Sequence, residues 1–226
     1  MTALMRLDNS DTEISQRAKE ILYDYYYNKF GLGQYTGIEL YEVPGYVTKP
    51  DAEDAYNSRY ANMSFGQGLT LTMMQVAAGF SSVINGGEYY RPTIVAGEVT
   101  ADGNFIYNQA PEAVRETISA ESSATMRTML RGTRNMMRLY GIDKPGYFIG
   151  GKTGTSQGTK DGKYTFDETI GSYVGFGGAE GELPKYVIMV KMWGEGRHLD
   201  GATHAGSLFD NLSNYIIKYL KVRPKA

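Results

Sequence analysis

Residues 147–158 read YFIGGKTGTSQG, in which Lys152 follows two glycines and precedes Thr153, Gly154, Thr155 and Ser156. Lysine here offers a fixed positive charge, and the threonines offer hydroxyl donors. Gly154 lets a substrate backbone lie close against an extended chain. At an effective dielectric of about 20 and a separation of about 4 Å, a lysine attracts a carboxylate by about 4 kcal/mol before desolvation. The backbone N–H of Thr155 is a candidate donor to a developing oxyanion, where removing one such donor costs about 10²–10³ in rate. An anionic substrate is the expectation, with this stretch as the candidate active site.

A phosphate loop competes for the same residues, because Gly146 to Thr153 satisfies G-x-x-x-x-G-K-[ST]. That motif needs a buried strand before the glycines and a helix directly after the lysine. Residues 141–145 read GIDKP and residues 154–158 read GTSQG, poor material for either. No apolar strand ends in an Asp that could hold magnesium, since residues 186–190 run into Lys191. The alternative is a K-T-G strand of the kind that accompanies an S-x-x-K nucleophile in acyl-serine enzymes.

Composition narrows the classes. The chain has 226 residues, is 42% hydrophobic and 21% charged, and carries a net charge of −2, values of a globular domain with a real core. Without a basic stripe, nucleic acid is not an expected partner. With no cysteine, a disulfide scaffold, a thiolate metal site and a thiol nucleophile are all excluded. His198 and His204 sit in a glycine-rich connection without a carboxylate cluster, which makes a poor metal site. Neither a metal nor a cofactor is expected.

The elements that must hold the lysine are legible as periodicities. The opening MTALMRL reads as helix interior, as though the sequence began partway through a domain, with Asn9, Ser10 and Asp11 as caps or a turn. A stripe at Ile14, Ala18, Ile21, Leu22, Tyr25 and Phe30 predicts a helix stopped by Gly31. Residues 41–63 lack periodicity and predict a loop. Thr72 and Gln75 form a capping box for a helix to Ile84, closed by Asn85-Gly86-Gly87. Residues 90–99 and 105–107 around Asp102-Gly103 predict a hairpin. Ser119 caps a helix through Tyr140 whose expected inner face is Met126, Met129, Leu130, Thr133, Met137 and Tyr140. Its arginines Arg127, Arg131, Arg134 and Arg138 are expected to form a solvated stripe. The lysine strand, residues 170–177 and residues 185–193 then predict a three-stranded antiparallel sheet. A last helix over 204–222 is expected to turn Leu208, Leu212, Tyr215, Ile216 and Tyr219 inward.

Taken in order, GLGQYTGIEL, SFGQGLTLTMMQVAAGFSSVINGG, GGKTGTSQ, YVGFGGAEGELPKYVIMV and the closing helix resemble class B penicillin-binding proteins. The resemblance covers nearly the whole chain, from Met1 to about Val222. It implies an α+β fold of the β-lactamase/transpeptidase kind, an antiparallel sheet with helices on both faces, incomplete at the N-terminus. Residues 1–226 would be the C-terminal part of the transpeptidase domain, with a helical part over about 1–140 and the K-T-G strand, sheet and closing helix over about 145–222. The implied activity is that of an active-site-serine D,D-transpeptidase that cross-links peptidoglycan stem peptides and is acylated by β-lactams. Lys152 and Thr155 would be its catalytic residues, with Thr153, Gly154 and Ser156 binding substrate, and cell-wall synthesis machinery its partner. The expected location is the extracytoplasmic face of a bacterial membrane, with an anchor outside this chain. The same fold also serves D,D-carboxypeptidases, β-lactamases and β-lactam sensors, and a non-catalytic remnant is a further alternative. The departure lies in the nucleophile. No S-x-x-K and no S-x-N occurs, Ser15 and Lys19 being four apart, and Tyr60-Ala61-Asn62 lies where the family would not have its motif. The serine and its lysine base are expected upstream of Met1, and this chain alone is expected to be inactive.

Overall fold

Gln75 shows how local sequence fixes the first part of the chain. In the computed structural model, which describes residues 2–9, 13–136, 145–160 and 163–225, Thr72 and Gln75 make the capping box reciprocally. The Gln75 N–H donates to Thr72 Oγ1 at 3.1 Å, and the Thr72 N–H donates to Gln75 Oε1 at 3.2 Å. The buried Gln75 amide also donates to Gln34 O, and to Pro44 O at 2.7 Å, which ties two loops to the helix start.

The chain forms two compact units, one of Met1–Ser82 with Glu88–Thr117 and one of Val83–Gly87 with Ile118–Ala226. The first contains α1 (Thr2–Arg6), α2 (Gln16–Tyr23), α3 (Asn57–Met63) and most of α4 (Met73–Ile84). Ser15 caps α2 by accepting the Ala18 N–H at 3.0 Å. The helix continues as a π-helical segment over Asp24–Lys29, and Gly31, at φ +69°, ends it where a side chain would be strained. Leu4, Ile14, Ala18, Val47, Tyr60 and Met63 form the core of this unit. Residues 41–63 are therefore not all loop, because α3 turns Tyr60 and Met63 into that core. A helix of seven residues is too short for periodicity to reveal.

Two small antiparallel pairs complete the unit. The strand β1 (Glu88–Tyr89) pairs with β4 (Arg115–Glu116), and β2 (Gly97–Val99) pairs with β3 (Phe105–Tyr107). The expected hairpin exists, but its first strand is only the end of residues 90–99.

The second unit is built on a sheet of order β5-β6-β7, all antiparallel, from Tyr147–Lys160, Lys163–Ala179 and Tyr186–Met192. Glycines shape both faces. A Cβ on Gly150 would lie 2.6 Å from the Phe176 ring and 3.1 Å from the Arg131 N of α5 (Ala120–Met136). On the opposite face, a Cβ on Gly175 would lie 2.5 Å from Phe209 of α6 (Gly206–Tyr219). Helices thus cover both faces, and Ile149, Tyr173, Val190, Ala205 and Phe209 form the core between β5–β7 and α6.

Both helix faces differ from the periodicity reading. In α5 the buried residues are Ser123, Leu130 and Arg134, while Met129 and Met136 are exposed. Arg127 donates to Ile84 O at 2.9 Å, Arg131 pairs with Glu180 at 2.8 Å, and Arg134 pairs with Asp210 at 2.6 Å. The arginine stripe faces protein because it meets acceptors distant in sequence. Arg138, Met137 and Tyr140 lie outside the described residues. In α6, Leu208, Leu212, Tyr215 and Tyr219 are exposed, whereas Gly206, Phe209 and Ser213 are buried. The hollow at Gly175 accepts Phe209 and so rotates the helix away from its longest apolar stripe.

Candidate active site

The phosphate-loop alternative fails on geometry, because Lys152 lies inside the 14-residue strand β5 with no helix after it. Its cross-strand partner is Val174. Thr153 faces Tyr173, Gly154 faces Ser172, Thr155 faces Gly171 and Ser156 faces Ile170. β5 is an edge strand, so one side of its backbone is left for a substrate.

Alternation divides the five candidate residues. Lys152, Gly154 and Ser156 lie on the face of Gly150 and Phe176, and Thr153 and Thr155 on the face of Tyr173 and Gly171. The exposed Lys152 donates from Nζ to Thr153 O at 2.7 Å, and among the described residues no carboxylate pairs with it. This leaves an uncompensated cation on the strand edge. Two cavities of about 400 and 310 Å³ lie around Lys221 and around Arg127. Neither takes in Lys152.

Thr155 is held from behind. The Gly201 N–H donates to its Oγ1 at 3.0 Å. Gly201 opens a π-helical turn, Gly201–Ala205, capped by Asp200, whose Oδ1 accepts the Thr203 N–H at 2.6 Å. Asp200 Oδ2 lies 2.8 Å from His204 Nδ1. Partial desolvation pushes the Asp200 carboxyl up, but hydrogen bonds from the Thr203 N–H, His204 and the Ala202 N–H outweigh it and hold the carboxyl below its ordinary value. The same loop is stitched to β6, where Thr169 donates from Oγ1 to Leu199 O at 2.8 Å.

The glycine-rich connection that carries His204 also contacts β5, through Gly201 and Thr155, which no neighbour in the chain reveals. The available signal was the Asp200–His204 spacing of four with a glycine directly after the aspartate, a pattern suited to a capped turn.

A family model described as the penicillin binding protein transpeptidase domain matches residues 12–214. The chain belongs to that family. Penicillin-binding protein PbpB of Mycobacterium tuberculosis is 32% identical over 218 residues, covering 91% of this chain and 31% of that protein. Stage V sporulation protein D of Bacillus subtilis is 32% identical over 216 residues, covering 94% of this chain and 33% of that protein. The crystal structure of penicillin binding protein 3 from M. tuberculosis complexed with ampicillin superposes with a TM-score of 0.78 at 31% identity, over 94% of this chain and 48% of that one. The chain thus spans about a third of the length of these curated relatives. Membership of the class B penicillin-binding proteins and the α+β transpeptidase fold, expected from the motifs, are both borne out. Among the described residues, no helix is long and apolar enough to cross a membrane.

Proposed function

We propose that this chain supplies the substrate-holding edge of a serine D,D-transpeptidase acting on peptidoglycan stem peptides. The observation that carries the reading is Lys152, a cation without a carboxylate partner on an edge strand, followed by Thr155 with its side chain fixed by Gly201. Such an edge suits an extended peptide ending in a carboxylate. Lys152 reaches that carboxylate over the strand edge from one face, the hydroxyls of Thr153 and Thr155 reach it from the other, Gly154 and Ser156 line the strand, and the Thr155 N–H donates to the oxyanion. The relative crystallised with ampicillin supports a β-lactam as a mimic of the same peptide end.

In the complete protein a serine from outside these 226 residues attacks the penultimate D-alanine carbonyl. The C–N bond to the last D-alanine breaks, that amine leaves protonated, and the acyl group passes from serine to an acceptor amine. Because the acceptor amine belongs to a neighbouring peptidoglycan strand, outside the cytoplasmic membrane, the reading puts the protein at the extracytoplasmic face of that membrane, anchored by a segment outside this chain, alongside cell-wall synthesis machinery.

Labelled penicillin applied to the complete protein tests this reading. The wild type takes one label, Lys152→Ala takes it at least 100-fold more slowly, and the 226-residue chain alone takes none. Undiminished labelling of Lys152→Ala overturns the role of Lys152. Stoichiometric labelling of the short chain overturns the assignment of the nucleophile elsewhere. Release of D-alanine without cross-links, or fast β-lactam turnover, replaces the transpeptidase with a carboxypeptidase or a β-lactamase.

A further inference from the structure

Arg134 is the most deeply buried cation described, with a side chain 3% exposed. It leaves α5 and reaches the opposite side of β5. There Nη2 donates to Asp210 Oδ1 of α6 at 2.6 Å and Nη1 donates to Tyr173 Oη of β6 at 3.3 Å, and the guanidinium lies 5.4 Å from the Phe209 ring centroid. Arg131, one turn earlier on α5, pairs instead with Glu180, directly after β6, at 2.8 Å.

What the guanidinium holds is the Tyr173 ring. That ring is 1% exposed and packs on Phe209 at a centroid distance of 4.6 Å. It also lies directly under the strand. A Cβ on Gly151 would come within 2.5 Å of Tyr173 Cε1 and 2.6 Å of its Oη, so β5 rests on the ring at the residue before Lys152. The Tyr173 backbone, in turn, is the cross-strand partner of Thr153. The Lys152-Thr153 step is therefore bounded by Tyr173 twice, by its ring at Gly151 and by its backbone at Thr153.

A buried ion pair is an inefficient source of stability, since apolar residues of similar volume often do as well. Its particular contribution is direction. The planar fork of arginine fixes two acceptors at once, which a lysine ammonium or an apolar side chain does not. We infer that Arg134, fixed by Asp210, is a positioning residue for Lys152, acting through the Tyr173 ring beneath Gly151. This inference rests on the transpeptidase reading, in which Lys152 binds a substrate carboxylate.

The test uses the complete protein and a labelled penicillin as the free acid and as its carboxylate methyl ester. Three variants separate placement from packing. Tyr173→Phe removes one oxygen, Arg134→Lys keeps the charge without the fork, and Arg134→Met with Asp210→Leu replaces the pair by apolar volume. At temperatures well below unfolding, each variant acylates about tenfold more slowly with the free acid and within twofold of wild type with the ester, because only the acid uses Lys152. Equal slowing with acid and ester, or wild-type rates with both, overturns the inference. So does slowing that merely tracks the unfolded fraction in the melting curve. Tyr173→Phe secures an answer if the arginine variants fail to fold. Lys152→Ala in parallel keeps the two readings apart: if it too labels normally, the role of Lys152 fails, whereas if it alone is slow, only the role of Arg134 fails.

Discussion

The Gly201 N–H donates to Thr155 Oγ1 at 3.0 Å, joining the capped turn before the last helix to the strand that carries Lys152. The bond occupies an acceptor lone pair of the hydroxyl from behind and leaves the hydroxyl proton to donate elsewhere. Thr155→Ser keeps this arrangement and Thr155→Val removes it. In the complete protein the serine variant acylates within about threefold of wild type. The valine variant loses about 1 kcal/mol of stability with the hydrogen bond and acylates at least tenfold more slowly, read by stopped-flow penicillin labelling and chemical denaturation.

The same turn approaches the strand so closely that only glycine fits. A Cβ on Gly201 would lie 2.3 Å from Gly154 O, 2.5 Å from Ser172 O and 2.7 Å from Gly154 N. All three are backbone atoms of hydrogen-bonded strands, which cannot move aside as a flexible side chain can. Gly201→Ala is expected to cost about 1–3 kcal/mol from overpacking and to slow acylation by displacing Thr155. A melting temperature equal to that of the wild type would show that the contact is softer than its distances imply.

How far such contacts can be read from sequence differs from element to element. The Thr72 and Gln75 capping box, the strand of Lys152 and the antiparallel order of the sheet were legible, because each depends on neighbours or on alternation. The inward faces of α5 and α6 were not. Arg127, Arg131 and Arg134 read as solvated because Ile84 O, Glu180 and Asp210 are remote in sequence. Phe209 displaced the longer stripe of Leu208, Leu212, Tyr215 and Tyr219 because Gly175 hollows the sheet where it packs. At the site, the chemistry of Lys152 was legible from its neighbours in the chain. The supports of the site, Gly201 behind Thr155 and Tyr173 beneath Gly151, depend on contacts that span tens of residues.

The Arg134–Asp210 pair gives a stability prediction separate from catalysis. With side chains 3% and 15% exposed, neither charge has bulk water to fall back on. Arg134→Met alone leaves Asp210 without its guanidinium partner and is expected to cost about 3–5 kcal/mol, as is Asp210→Leu for the opposite reason. Arg134→Met combined with Asp210→Leu is expected to recover most of that loss. Urea denaturation of the four proteins closes the double-mutant cycle, and strictly additive losses would contradict a direct coupling between the two charges.

Asp200 links the rear support of Thr155 to pH. Hydrogen bonds from the Thr203 N–H and His204 outweigh desolvation and lower its carboxyl from an ordinary value of 3.8. A carboxyl lowered on folding binds a proton more readily in the unfolded chain, so its ionised form favours the folded state. That contribution is complete above the ordinary value and disappears as pH falls through the lowered one. Thr203 and His204 then lose the acceptor that caps the turn, and the Gly201 N–H loses its fixed place behind Thr155. Asp200→Asn removes the titration. The melting temperatures of wild type and Asp200→Asn are therefore expected to converge as pH falls below about 4. A difference that instead grew below about pH 4 would reverse the sign and show that the folded state raises the Asp200 pKa.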